Sequence, residues 1–129
     1  MNTTTNKILI IDDDEIDLEL MRCLLTKEGY NILQTADGPQ GVMLYKEHRP
    51  VLVFLDLGLP TISGLEVLKE IRHYDERAKI ILITGYGSVQ SAVSAMKLGA
   101  LDFVEKTWDI GEMTRKIQLA LEAFGEPKP

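Results

Sequence analysis

Cysteine is almost missing from this chain: Cys23 is the single one in 129 residues, so an internal disulfide is excluded. Cys23 sits among Leu20, Met21, Leu24 and Leu25 and reads as a core residue. No apolar run reaches the length of a signal core or a membrane span, and a cytoplasmic location is the expectation. Cations are outnumbered, and a net charge of -6 opposes binding to a phosphate backbone, which rests mainly on Lys and Arg. Internal repeats and low-complexity segments are lacking. Also missing is the glycine-rich loop that would follow the first strand of a nucleotide- or flavin-binding fold; the loop there is DDDE.

What is present is the composition of a folded domain, 45% hydrophobic and 26% charged. A chain of this length buries roughly two-thirds of its unfolded surface. Apolar runs of strand length recur at Lys7 to Ile11, Asn31 to Ala36, Val51 to Leu55, Lys79 to Ile83 and Leu101 to Glu105. Helix-period stretches lie between them: about Glu15 to Glu28 with Asp14 as N-cap and Gly29 as terminator, one from near Pro39, then Gly64 to Tyr74 and Ser88 to Leu98. The last covers Ile110 to Phe124, with Ile110, Met113, Ile117, Ala120, Leu121 and Phe124 as its apolar stripe. Alternating strand and helix predicts an α/β fold: a doubly wound, five-stranded parallel sheet covered on both faces, hence three layers. One domain over residues 7–124 is expected, preceded by a polar tail, 1–6, and followed by 125–129 as a natural end or the start of a linker. Met21, Met43, Met96 and Met113 read as packing, and His48 and His73 as surface residues.

In such a sheet all strand C-termini open on one edge. Asp12, Asp13 and Asp14 follow the first strand, Asp56 the third, Thr84 the fourth and Lys106 the fifth. Crowded carboxylates repel and retain protons unless a cation is present, so a raised pKa is expected at Asp12 or Asp13 in the metal-free protein. Lys106 is the built-in cation, and the remaining charge calls for a hard divalent metal, Mg2+, beside Asp12, Asp13 and Asp56. With that charge offset, the Asp56 carboxylate can attack phosphorus and form an acyl phosphate. Thr84 would donate its hydroxyl to a phosphoryl oxygen, Gly85 would leave room for the group, and Lys106 would pair with another oxygen. The loop after Asp56 is restrained by Pro60 and Gly64. Gly58 and Tyr86, each two residues past a site residue, are placed to set the lifetime of the phosphorylated state, Tyr86 by shielding it from water.

The segments ILIIDDD, VLVFLDLGLPTISGLEVLKEIR, IILITGYGS and GALDFVEK resemble the receiver domain of two-component response regulators over about residues 7 to 124. TGYGSVQSAVSAMKLGALDFVEK is most similar to nitrogen-regulation and nitrogen-fixation types. The resemblance implies a flavodoxin-like (CheY-like) strand order 2-1-3-4-5, with Asp56 as phosphoacceptor. It makes Asp13, Asp56 and the Gly58 carbonyl direct Mg2+ ligands, Asp12 an assistant through water, and Thr84 and Lys106 phosphoryl contacts. Phe103 takes the place of the switch aromatic. A histidine kinase or phosphotransfer protein would be the donor, and an output domain, a downstream protein or a second copy would read the face of helix 4, strand 5 and helix 5. Direct nucleic-acid or membrane binding is not implied, nor is action on an external substrate.

Two positions depart from the family pattern. Thr107 follows Lys106 where a cis-proline is usual; a cis bond before threonine costs roughly 3 kcal/mol, which favours trans and leaves the reach of Lys106 open. Phe103 stands for a common tyrosine and lacks the hydroxyl. Two rival readings are a haloacid-dehalogenase-type phosphatase, whose DxDx[TV] motif Asp12, Asp14 and Ile16 nearly match, and a receiver-like scaffold that works without phosphorylation. The phosphatase needs a later acidic pair that nothing after Lys106 supplies.

Overall fold

The computed structural model describes residues 6–59, 62–85, 89–107 and 109–125. Its strands are β1 (Lys7–Ile11), β2 (Asn31–Thr35), β3 (Leu52–Asp56), β4 (Ile80–Thr84) and β5 (Asp102–Glu105). They alternate with α1 (Glu15–Lys27), α2 (Gly38–His48), α3 (Gly64–Tyr74), α4 (Val89–Lys97) and α5 (Ile110–Phe124). All strand pairs are parallel, in the order β2-β1-β3-β4-β5, the expected arrangement.

The two faces of the sheet carry separate cores, because successive strand side chains point to opposite sides. Leu9, Ile11, Val53, Leu55, Ile80 and Leu82 face α2, α3 and α4, meeting Val42, Val67, Leu68, Ile71 and Ala95. Ile8, Ile10, Phe54, Ile81 and Ile83 face α1 and α5, meeting Leu18, Met21, Leu25, Met113 and Ile117. β3 and β4 are buried along their whole length, which explains their unbroken apolar runs. Burying a side chain such as Phe54 fully contributes about 1.5 to 3 kcal/mol.

Helix ends follow local chemistry. Asp14, Asp37, Ser63 and Asp109 each cap a helix by accepting backbone N–H bonds in its first turn. Gly29, with φ of 95°, turns the chain after α1. β3, β4 and β5 each begin one residue later than expected, and β3 and β4 also end one later, so Asp56 and Thr84 are the last residues of their strands.

Four side chains read as buried are exposed. Cys23 lies two positions from Met21, about 200° around α1 from the stripe of Leu18, Met21 and Leu25. Met43 similarly falls outside the buried positions 38, 41, 42 and 45 of α2. Met96 follows buried Ala95 on α4 and faces out with Val93. Ile110, in the first turn of α5, is 64% exposed; the buried stripe begins at Met113. His73 is exposed as expected, while His48 is half-buried, with Nδ1 3.1 Å from Lys7 Nζ.

Candidate functional site

The polar edge is assembled by strand ends. After Ile11 the chain continues the ladder by one bond, Asp12 N–H to the Thr35 carbonyl at 3.0 Å, and then turns. The turn is held by side chains: Asp14 N–H donates to Asp12 Oδ1 at 2.9 Å, and Asp14 Oδ1 accepts from Ile16 and Asp17 at 2.9 and 3.2 Å. Asp14 Oδ1 thereby caps α1. At the end of β3, Asp56 Oδ1 accepts the Gly58 N–H at 2.9 Å. Gly64 N–H closes the same loop onto the Leu57 carbonyl at 3.0 Å.

Lys106 N–H donates to the Thr84 carbonyl at 2.8 Å, extending the ladder from β4 and placing the side chain over the site. Among the described residues no peptide bond is cis, so the bond to Thr107 is trans, and the lysine reaches nonetheless. Thr107 Oγ1 accepts from Asp109 N–H at 3.2 Å, a turn that leads into the α5 cap. Lys106 Nζ lies 2.9 Å from Asp56 Oδ2, 3.1 Å from Asp12 Oδ2 and 2.8 Å from Asp17 Oδ2.

The structure therefore brings Asp12, Asp13, Asp56, Thr84 and Lys106 to one edge. Asp12, Asp56 and Thr84 are buried, Asp13 is exposed, and Lys106 is half-buried. Beside Thr84, a Cβ added at Gly85 would meet nothing within 4 Å, so there is room for a group there. Phe103, on β5, is 41% exposed and turned outward. Tyr86, expected to shield the site, and Pro60, expected to restrain the β3 loop, lie outside the described residues, as do Ser88 and both tails at 1–5 and 126–129. Asp17 was missed by sequence reading, because an acidic residue in a first helical turn is already explained by the helix dipole.

Burial is the largest cause that raises the Asp12 pKa, to about 7. The N–H of Asp14 opposes it, the charge of Asp56 adds to it, and Lys106 offsets part of it. Crowding was expected to be the cause; withdrawal from water outweighs it. At Lys106, burial disfavours the ammonium, but hydrogen bonds to Asp17 and Asp56 and the charges of Asp12 and Asp56 outweigh that and hold its pKa above the ordinary lysine value.

The residues fit a hard divalent cation. One carboxylate oxygen from each of Asp12, Asp13 and Asp56 can gather within 4.8 Å of the others. Asp12 Oδ2 is buried and accepts no aligned hydrogen bond, although Lys106 Nζ is only 3.1 Å away, so it has capacity for a further ligand.

A pH dependence follows for the protein in EDTA. Between 3.8 and about 7 the folded chain keeps an Asp12 proton that the unfolded chain has released. The stability from this group is complete below that window and lost as pH rises through about 7, at up to about 1.4 kcal/mol per pH unit. Urea unfolding across the window should show this slope, and Asp12→Asn should flatten it. Millimolar Mg2+ should recover stability at the alkaline end, by about 1.4 kcal/mol at tenfold excess over Kd. A slope that survives in Asp12→Asn would assign the effect elsewhere.

Comparison with known proteins agrees with this geometry. The family model "Response regulator receiver domain" matches residues 8–118, and the chain belongs to that family. It is a receiver domain of the kind found in two-component response regulators. It is 32% identical over 120 residues to Regulatory protein AtoC of Escherichia coli, covering 93% of this chain but 26% of AtoC, so it spans about a quarter of that relative. The crystal structure of the receiver domain of NtrX from Brucella abortus superposes with a TM-score of 0.77 at 33% identity, covering 89% of this chain and 98% of that one. CheY-like architecture is equally clear from a CheX–CheY–BeF3–Mg2+ complex of Borrelia burgdorferi, with TM-score 0.80, 30% identity, and coverage of 93% and 90%. Among the described residues, no helix is long and apolar enough to cross a membrane.

Proposed function

We propose that the chain accepts a phosphoryl group on Asp56 from a phosphohistidine of a histidine kinase or phosphotransfer protein. The observation that carries this is the pairing of Asp56 Oδ2 with Lys106 Nζ at 2.9 Å, next to the buried Asp12 carboxylate with its unfilled oxygen. A P–O bond forms to Asp56 as the donor's P–N bond breaks; later attack by water returns the carboxylate and inorganic phosphate. Asp12, Asp13, Asp56 and the Gly58 carbonyl would hold Mg2+, which when bound offsets charge developing on the phosphoryl oxygens. The Borrelia burgdorferi complex, which holds Mg2+ with BeF3, supports that choice of metal. Lys106 supplies the remaining positive charge, and Thr84 the hydroxyl. The chain promotes transfer to itself and hydrolysis of its own phosphate, and acts on no external substrate.

The output reading rests on Thr84 and Phe103. β4 and β5 run side by side there, with Leu82 opposite Phe103 and Thr84 opposite Glu105. Drawing the Thr84 hydroxyl to a phosphoryl oxygen opens space for the outward Phe103 ring to rotate in, altering the α4–β5–α5 face. That face exposes Val93, Met96, Phe103 and Leu119, a surface suited to an output domain, a downstream protein or a second copy rather than to nucleic acid.

Incubation with a small phosphodonor and Mg2+ should add one phosphate to the intact mass, and EDTA should suppress the gain. An equal gain in EDTA would sink the metal-assisted reading, and no gain with Mg2+ would sink the phosphoacceptor reading itself.

A further inference from the structure

An ammonium has three N–H donors and no more. Lys106 spends them on three carboxylates, Asp56, Asp17 and, through Oδ1 at 3.3 Å, Asp12, and its closest partner, Asp17 at 2.8 Å, takes no part in the mechanism above. Asp17 sits in the first turn of α1, where its N–H is tied to the Asp14 cap at 3.2 Å, so its backbone is held facing Lys106. The carboxylates that converge as a cation site are Asp12, Asp13 and Asp56, without Asp17. A divalent cation there offsets two of those three charges, and Lys106 is left to balance the third together with that of Asp17.

We propose that Asp17 is a positioning residue that attenuates the phosphoryl site, by holding the Lys106 ammonium on the α1 side and cancelling part of the charge it presents to a phosphoryl oxygen. This rests on the reading of Asp56 as phosphoacceptor. Two consequences separate it from a purely structural role for Asp17: removing the charge strengthens binding of a phosphoryl mimic, and it does so only while Lys106 is present.

The test is a titration of the whole chain with beryllofluoride in saturating Mg2+, followed by amide NMR, as a double-mutant cycle of Asp17→Asn and Lys106→Met. A half-buried pair that is still partly screened by solvent makes Asp17→Asn bind beryllofluoride about three- to fivefold tighter than the parent. Mg2+ affinity measured without beryllofluoride should not rise, and in the Lys106→Met background the tightening should disappear. Asp17→Ser, which removes the charge with a different shape, should repeat the gain and guard against a folding defect in the first variant. Unchanged or weaker binding in both Asp17 variants overturns the proposal. Equal tightening with and without Lys106 also overturns it, since Asp17 would then act by general repulsion. A parent protein that does not bind beryllofluoride at all would overturn the phosphoacceptor reading first, and this inference with it.

Discussion

Asp56→Asn is expected to abolish phosphate incorporation while leaving the fold intact. An amide offers no anionic oxygen to attack phosphorus, so the loss should be complete within detection rather than graded. The backbone has little reason to move: an asparagine oxygen can still accept the Gly58 N–H that Asp56 Oδ1 accepts at 2.9 Å. Lys106 keeps Asp12 and Asp17 as partners, at 3.1 and 2.8 Å, so its ammonium is not stranded. The charge of Asp56 is one of the causes that raise the Asp12 pKa, so the variant should also titrate Asp12 lower, although burial still holds it above an ordinary carboxylate. Intact-mass measurement with phosphodonor and Mg2+ checks the first point, and urea unfolding checks that the fold is retained. A variant that gains phosphate as the parent does would transfer the nucleophile to another residue, with Asp12 the first to examine.

Gly64→Ala should be the most damaging single-methyl change in the site loop. A Cβ there would stand 2.5 Å from both the Asp56 carbonyl oxygen and Leu57 Cα, backbone atoms that cannot rotate away. Overpacking of this kind costs about 1 to 3 kcal/mol, against a gain of under about 1 kcal/mol for alanine over glycine in a helix. A net loss of about 1 to 2 kcal/mol is expected. Because the displaced backbone is that of Asp56 and Leu57, phosphate incorporation should slow as well. Gly58→Ala is the control in the same loop: its Cβ would meet only Asp56 Oδ1, at 3.7 Å, an ordinary contact. Urea unfolding of the two variants should therefore separate them, and equal destabilisation would show that the close approach at Gly64 is relieved without cost.

Much of this was legible beforehand, and the reason is the parallel sheet. A strand buried on both faces leaves a continuous apolar run, so its end is visible where polar residues begin, as at Asp12 and after Leu55. The alternation of strands and helices then forces those ends to one edge, bringing Asp12, Asp56, Thr84 and Lys106 together across large separations in sequence. Helix faces were less legible. A run of apolar residues on α1 does not say which of Leu20, Met21 and Cys23 points inward; the angular position of Leu18, Met21 and Leu25 against the sheet decides it, and Cys23 is left outside. Met43, Met96 and Ile110 were misread for the same reason.

By itself the sequence determined the layered fold, the strand order through its family motifs, and which charged residues share the C-terminal edge, because these follow from periodicity and from the rule that parallel strands end together. Only the tertiary structure decided the state of that edge. Burial, more than crowding, raises the Asp12 pKa, since the loss of water depends on what packs over the carboxylate and not on its neighbours in the chain. The trans peptide after Lys106 still lets the side chain reach Asp56, because the ladder bond to Thr84 sets where it starts. And Asp17 became a partner of Lys106 because the α1 cap turns its carboxylate towards a lysine 89 residues later, a proximity that exists only once β1 and β5 stand in one sheet.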